Sequence, residues 1–181
     1  MPHLRRNQEP SPPHQESSSN RKPPPRPDRS LSLPANEYLD RLVAKARELG
    51  VTLEKSEIDQ LWFYYPPERA IAIWEPDLYQ QPLGFLLTVL AHELGHVVDF
   101  DADPRLAEAT RHLHYSQVPL SIEVSGFVTG YRLLQEANIP LTVEEYTFFI
   151  EEPLAGCVRQ ILNEEEAGDA CADLAPQALV S

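Results

Sequence analysis

The spacing of apolar residues along the chain predicts a series of amphipathic helices. Leucines and valines recur at helical intervals over residues 83–99, which predicts one long helix with an apolar face. The same spacing predicts further helices over residues 36–50, 119–137 and 154–166. Thr142 and Glu145 form a capping-box pattern that marks the start of one more helix. The chain is therefore expected to be mainly helical.

Two short runs of β-forming residues precede the long helix. They cover residues 61–65 and 70–74, and Pro66-Pro67-Glu68-Arg69 joins them. This arrangement predicts a β-hairpin and, with the helices, an α+β fold that has a small hairpin or sheet beside the long helix. A strand edge in that position could hold an extended peptide by main-chain hydrogen bonds; a purely structural hairpin is the alternative.

Length and composition predict one folded domain with a tail at each end. The chain has 181 residues, of which 42% are hydrophobic, enough for a modest core. Residues 1–35 hold Pro- and Ser-rich runs and are predicted to be disordered, residues 36–166 to fold, and residues 167–181 to fray. The N-terminal tail lacks the apolar segment of a signal peptide, and polar residues interrupt the longest apolar run, so no membrane span and a cytoplasmic location are expected.

The distribution of charge argues against a nucleic-acid surface. The net charge is −13, and residues 1–35 hold six Lys and Arg against three Asp and Glu, so the remainder is strongly acidic. An acidic body repels phosphate groups, and direct nucleic-acid binding is therefore not expected. Cys157 and Cys171 are the two cysteines, too few for a disulfide scaffold.

The most specific motif is His92-Glu93-Leu94-Gly95-His96, an H-E-x-x-H sequence within the predicted long helix. Residues four apart lie on one helical face, so His92 and His96 can present two imidazole nitrogens to one Zn²⁺. Glu93 is the candidate catalytic base, because a carboxylate beside such a site can take a proton from water. Asp99 lies on the same stripe and could orient a ligand histidine by accepting its second N–H.

A catalytic zinc site needs a third protein ligand. Glu123 is the favoured candidate, because it stands at the start of the predicted 119–137 helix, and Gly126 and Gly130 leave little bulk between that helix and the motif. The residues leave four other candidates open: Asp99, Asp101, His112 and His114. His114 and Tyr115 are candidate donors for oxyanion stabilisation, although neither belongs to a specific motif.

In these features the sequence resembles the ImmA/IrrE family of zinc metallopeptidases. The run 70–74 resembles the β segment that precedes the family's zinc motif, and His92 to His96 match the motif itself. The later family helix, roughly E-x-x-A-x-x-F-A-x-x-L-L, is kept in register from Glu123 to Leu134, with glycines in place of the alanines and a threonine in place of the aromatic residue. The resemblance implies that Glu123 is the third zinc ligand.

The resemblance also implies a gluzincin-like fold and hydrolysis of a peptide bond in a protein substrate. For many members that substrate is a transcriptional repressor, cleaved during stress or mobile-element induction. No DNA-binding module is evident in this chain, so the repressor would be a separate protein. The alternative is a catalytically silent zincin-fold protein with a regulatory or binding role. A purely structural zinc site is disfavoured, because no fourth Cys or His stands at a suitable spacing.

Overall fold

The computed structural model describes residues 29–111, 113 and 117–174, with side chains as far as residue 165. Over these residues the fold is α+β and mostly helical, as predicted. Seven helices and three strands follow one another in this described part: α1 (Glu37–Glu48), β1 (Thr52–Lys55), β2 (Phe63–Tyr65), β3 (Ala70–Ile73), α2 (Asp77–Gln80), α3 (Leu83–Ala102), α4 (Pro104–Thr110), α5 (Leu120–Glu136), α6 (Val143–Thr147) and α7 (Leu154–Leu174).

The predicted helix ends coincide with local capping interactions. The Asn36 side chain accepts hydrogen bonds from the first backbone amides of α1, and Gly50 follows that helix with a φ of 69°. A positive φ is strained for residues with a Cβ, so glycine suits this position. Thr142 and Glu145 form both hydrogen bonds of the capping box that starts α6. These boundaries were predictable because each is set within a few residues of the chain.

The sheet has three strands in the order β1-β3-β2. β2 and β3 form the predicted antiparallel hairpin through a 3-10 turn at Pro66–Glu68, whereas β1 pairs with β3 in parallel and was not predicted. Arg69, at the end of the turn, has a φ of 47°; its guanidinium donates to Asp101 of α3 and to the Leu49 carbonyl. The hairpin is therefore tied to the C-terminal part of α3.

α3 is the central helix of the hydrophobic core. Leu90, Ala91, Leu94 and Val97 of this helix are fully buried. Among the described residues it is the one helix that is long and apolar enough to cross a membrane, and 67% of that stretch is buried inside the protein. Core helices of folded domains meet the same criteria of length and composition, so this is weak evidence for a span.

The folded region extends beyond both predicted boundaries. Residues 29–35, which were predicted to belong to the disordered tail, include Leu31 and Leu33, and both pack against the core. The carbonyl of Arg29 also accepts a hydrogen bond from the backbone amide of Lys55 in β1. At the other end α7 continues to Leu174, past the predicted end at residue 166. The tail predictions for residues 1–28 and 175–181 lie outside the described residues.

Candidate metal centre

α3 brings the two motif histidines together on one buried face. His92 and His96 are one helical turn apart, and their Nε2 atoms lie 3.2 Å from each other. The residues are 7% and 8% exposed, respectively. Two imidazole nitrogens that face each other at this distance can share a metal ion, as the i, i+4 spacing predicted.

Glu123, in the first turn of α5, completes the cluster. Its Oε2 lies 3.3 Å from Nε2 of His92, and its Oε1 lies 3.9 Å from Nε2 of His96. One ligand atom from each of the three residues lies within 4.8 Å of the others, so the cluster could hold a metal ion. The structure thus unites the three residues predicted as ligands.

The alternative third ligands are not part of this cluster in the described region. Asp101 is engaged by Arg69, at 2.7 and 2.9 Å, and Asp99 accepts a hydrogen bond from Thr129 at 2.8 Å. His112 and His114 lie outside the described residues, as does Tyr115, the other candidate oxyanion donor.

Glycines allow α5 to approach the motif closely. A Cβ added to Gly95 would lie 2.0 Å from the carbonyl oxygen of Gly126, and one added to Gly130 would lie 2.5 Å from the carbonyl oxygen of Ala91. A Cβ on Gly126 would lie 2.6 Å from the ring of His96. Any side chain at these positions would push α5 away from α3. The role of Gly126 and Gly130 was predicted; that of Gly95 was not.

The chemistry of the donor set favours a metal cation. Burial lowers the pKa of His96 well below its ordinary value, and the neighbouring His92 lowers it further. At neutral pH the His96 imidazole is therefore uncharged and keeps a lone pair for coordination. Two imidazoles and a carboxylate in a mostly buried position are a ligand set that proteins use for divalent transition metals.

The sheet holds the side chain of Glu93, the residue that follows His92 on α3. Its Oε2 accepts a 2.6 Å hydrogen bond from the backbone amide of Tyr64 in β2. Burial raises the pKa of Glu93, whereas His92 and the Tyr64 amide lower it, and Glu123 raises it. A main-chain donor therefore fixes the carboxylate that the motif offers as a catalytic base. No sequence pattern indicated this contact.

The same hydrogen bond restricts the edge of the sheet. β2 pairs only with β3 in the described region, and the Tyr64 amide points away from β3 because it donates to Glu93. Pro66 and Pro67 follow immediately and have no amide hydrogen. The outer edge of β2 therefore lacks the row of free donors that the peptide-binding hypothesis assumed there; whether the hairpin holds a peptide stays a prediction.

The predicted role of Asp99 is not observed. Its Oδ1 accepts from Thr129, while its Oδ2 is buried without a hydrogen-bond partner among the described residues. The Nδ1 atoms of His92 and His96 are likewise buried and unpartnered there. Asp99 therefore orients neither histidine by a direct hydrogen bond, because its carboxylate is turned towards α5.

No comparison with known proteins identifies a family for this chain. No family model matches the chain. Neither the curated proteins nor the solved structures gave a match.

Proposed function

We propose that this protein is a zinc-dependent endopeptidase with a zincin-like fold, related to the ImmA/IrrE metallopeptidases that its sequence resembles. In this proposal His92, His96 and Glu123 bind Zn²⁺ and Glu93 is the catalytic base. The observation that carries it is the convergence of Glu123, from a separate helix, on the two histidines of an H-E-x-x-H motif.

The distances within the cluster suit zinc. Zn–N and Zn–O bonds of about 2.0–2.1 Å in a tetrahedral site place neighbouring ligand atoms about 3.3 Å apart. Nε2 of His92 lies 3.2 Å from Nε2 of His96 and 3.3 Å from Oε2 of Glu123, close to that spacing. The 3.9 Å contact with His96 is made by the other carboxylate oxygen, Oε1, and one ligand atom from each residue lies within 4.8 Å of the others. Three protein ligands leave a fourth position open, which is typical of catalytic rather than structural zinc.

Glu93, next to His92 in the motif, is the residue to which this proposal assigns proton transfer. Zinc held by these three ligands would polarise the scissile carbonyl and lower the pKa of water to about 7. Because Oε2 of Glu93 is held by the Tyr64 amide, Oε1 is the oxygen left to take a proton from the attacking water. Glu93 would then return that proton to the leaving amine.

The proposed substrate is a peptide bond in a separate protein, a transcriptional repressor by analogy with the resembled family. The acidic body favours a protein partner over nucleic acid. We further propose that the protein acts in the cytoplasm.

Metal analysis of the full-length protein tests the ligand set. Wild type is expected to hold one equivalent of zinc, and His92→Ala and Glu123→Gln to lose it. Glu136→Gln is the matched control, because Glu136 is on the same helix as Glu123 but binds Lys45 at 3.0 Å. Full zinc content in Glu123→Gln would reject Glu123 as a ligand.

Cleavage assays test the reaction separately. Wild type and Glu93→Gln would be incubated with a candidate repressor and with a mixed peptide pool, and the products identified by mass spectrometry. Zinc-loaded wild type should cleave, whereas zinc-loaded Glu93→Gln should be slower by at least about a hundredfold, because the base is lost. Zinc binding without cleavage of any substrate by wild type would favour the silent regulatory alternative.

A further inference from the structure

An aromatic ring packs against each of the two motif imidazoles. The ring of Phe127, one turn after Glu123 on α5, stacks on His92 with centroids 3.7 Å apart and an angle of 17° between the planes. The ring of Phe100, one turn after His96 on α3, lies 5.5 Å from that imidazole at 26°. The Phe127 contact is the closer and more parallel of the two.

These contacts matter because no described residue forms a hydrogen bond with Nδ1 of either imidazole. A metal-binding histidine commonly donates its second ring N–H to a carboxylate or a carbonyl, which fixes the orientation of the ring. Here Nδ1 of both His92 and His96 is buried with no partner among the described residues, and Asp99 is bound to Thr129 instead. The ring contacts of Phe127 and Phe100 can limit rotation of the imidazoles about their Cβ–Cγ bonds.

We propose that Phe127 is a positioning residue, which holds the His92 imidazole by stacking so that Nε2 faces the metal position. Phe100 does the same for His96 through a looser contact. This inference rests on the metal site of the proposed function. It adds that packing, rather than a hydrogen bond, sets the orientation of the histidines.

The placement of Phe127 is itself secured by α6. The hydroxyl of the fully buried Tyr146 donates to the Phe127 carbonyl at 2.9 Å, and the two rings meet edge to face with centroids 6.3 Å apart. Phe127 and Glu123 are on the same helix, so a shift of α5 would move the third ligand and the stacking ring together. One packing arrangement therefore sets both the ligand position and the ring orientation.

Zinc affinity measured by competition with a chelator tests the inference in the full-length protein. Phe127→Leu keeps an apolar side chain but loses the ring, and is expected to bind zinc about 3- to 10-fold more weakly. Phe127→Tyr keeps the ring and should restore nearly normal affinity. Phe149→Leu, which disrupts the edge-to-face Phe85–Phe149 pair near the start of α3, is the matched control and should leave the affinity unchanged.

Cobalt substitution adds a spectroscopic measurement that general destabilisation would not change. The visible absorption bands of the Co²⁺ protein depend on ligand geometry, so Phe127→Leu should shift them and Phe149→Leu should not. If Phe127→Leu does not fold, Phe127→Met and Phe100→Leu serve instead, with the smaller loss of affinity expected for Phe100→Leu.

The outcomes separate this inference from the proposed function. If wild type binds zinc and folded Phe127→Leu has the same affinity and the same cobalt spectrum, stacking does not position His92, and the zinc site is unaffected by that result. If wild type binds neither zinc nor Co²⁺, the proposed function and this inference both fail.

Discussion

The backbone amide of Tyr64 donates a hydrogen bond to the buried carboxylate of Glu93, joining the edge strand of the sheet to the H-E-x-x-H helix. The Tyr64 ring is also buried and packs near Phe100, with centroids 6.2 Å apart. The amide and the ring can be separated experimentally, because proline and alanine both remove the ring but only proline removes the N–H.

We predict that Tyr64→Pro raises the pKa of Glu93 above its value in Tyr64→Ala. The amide stabilises the ionised carboxylate, so its removal favours the protonated form. The amide points away from β3, so proline removes no hydrogen bond of the sheet. The measurement is a pH titration of ¹³C-labelled glutamate by NMR in the metal-free protein. Identical titration curves in the two variants would show that the hydrogen bond does not influence Glu93.

A second prediction is that Glu93→Gln stabilises the metal-free protein at neutral pH. Burial raises the pKa of Glu93 in the folded state, so ionised Glu93 opposes folding, and the penalty is complete above its folded pKa. Glutamine can still accept from Tyr64 and carries no charge. The gain in thermal midpoint should grow as the pH rises towards the folded pKa and should vanish below about pH 4, where the carboxyl is protonated in both states. A gain that is the same at every pH would contradict this explanation.

The third prediction concerns the contact between α3 and α5. Gly95→Ala should destabilise the protein by at least about 2 kcal/mol, because its Cβ would collide with backbone atoms of Gly126 that cannot rotate away. Gly156→Ala is the control: among the described residues its Cβ would meet the flexible side chain of Glu152, so alanine should stabilise α7 by up to about 1 kcal/mol. Urea denaturation measures the stability of both variants. A Gly95→Ala variant as stable as wild type would show that α3 and α5 can separate at little cost.

The fourth prediction tests the Asp99–Thr129 hydrogen bond. Thr129→Val should cost about 1–3 kcal/mol, because it leaves a largely buried carboxylate without its donor. Thr110→Val is the comparison, since among the described residues the Thr110 hydroxyl donates to carbonyls of its own helix. A loss of stability in Thr129→Val no greater than in Thr110→Val would mean that Asp99 gains nothing from this donor.

The fifth prediction concerns acid sensitivity. Hydrogen bonds from Arg69 hold the pKa of Asp101 below its ordinary value, so the pair stabilises the fold above about pH 4 and the contribution is lost as the pH falls through the folded pKa. Both side chains are nearly half exposed, so Asp101→Asn should cost less than about 1 kcal/mol at pH 7. Denaturation at pH 7 and pH 3 should show that the difference in stability between wild type and Asp101→Asn is smaller at pH 3. The same difference at both pH values would contradict a role of the ionised pair.

The features that the sequence predicted correctly are local ones. The i, i+4 spacing of His92 and His96 places both on one helical face wherever that helix packs. The caps of α1 and α6 depend on residues within three positions of each other. The place of Glu123 beside the two histidines was predicted from a longer pattern, in which Gly126 and Gly130 indicated that a second helix could approach closely; its role as a metal ligand stays a prediction.

The tertiary structure decided which of the available groups meet. β1 joins the sheet through pairing with a strand that follows it at a distance along the chain, which short-range patterns do not encode. Asp99 lies on the same helical stripe as the two histidines, but the packing of α5 against α3 places the Thr129 hydroxyl within hydrogen-bond distance of its carboxylate. The same packing placed Phe127 against His92, and the hairpin placed the Tyr64 amide against Glu93. The sequence alone determined the donor groups and their helical spacing; only the packing of separate elements determined their partners, because those contacts depend on distances between segments that are far apart in the chain.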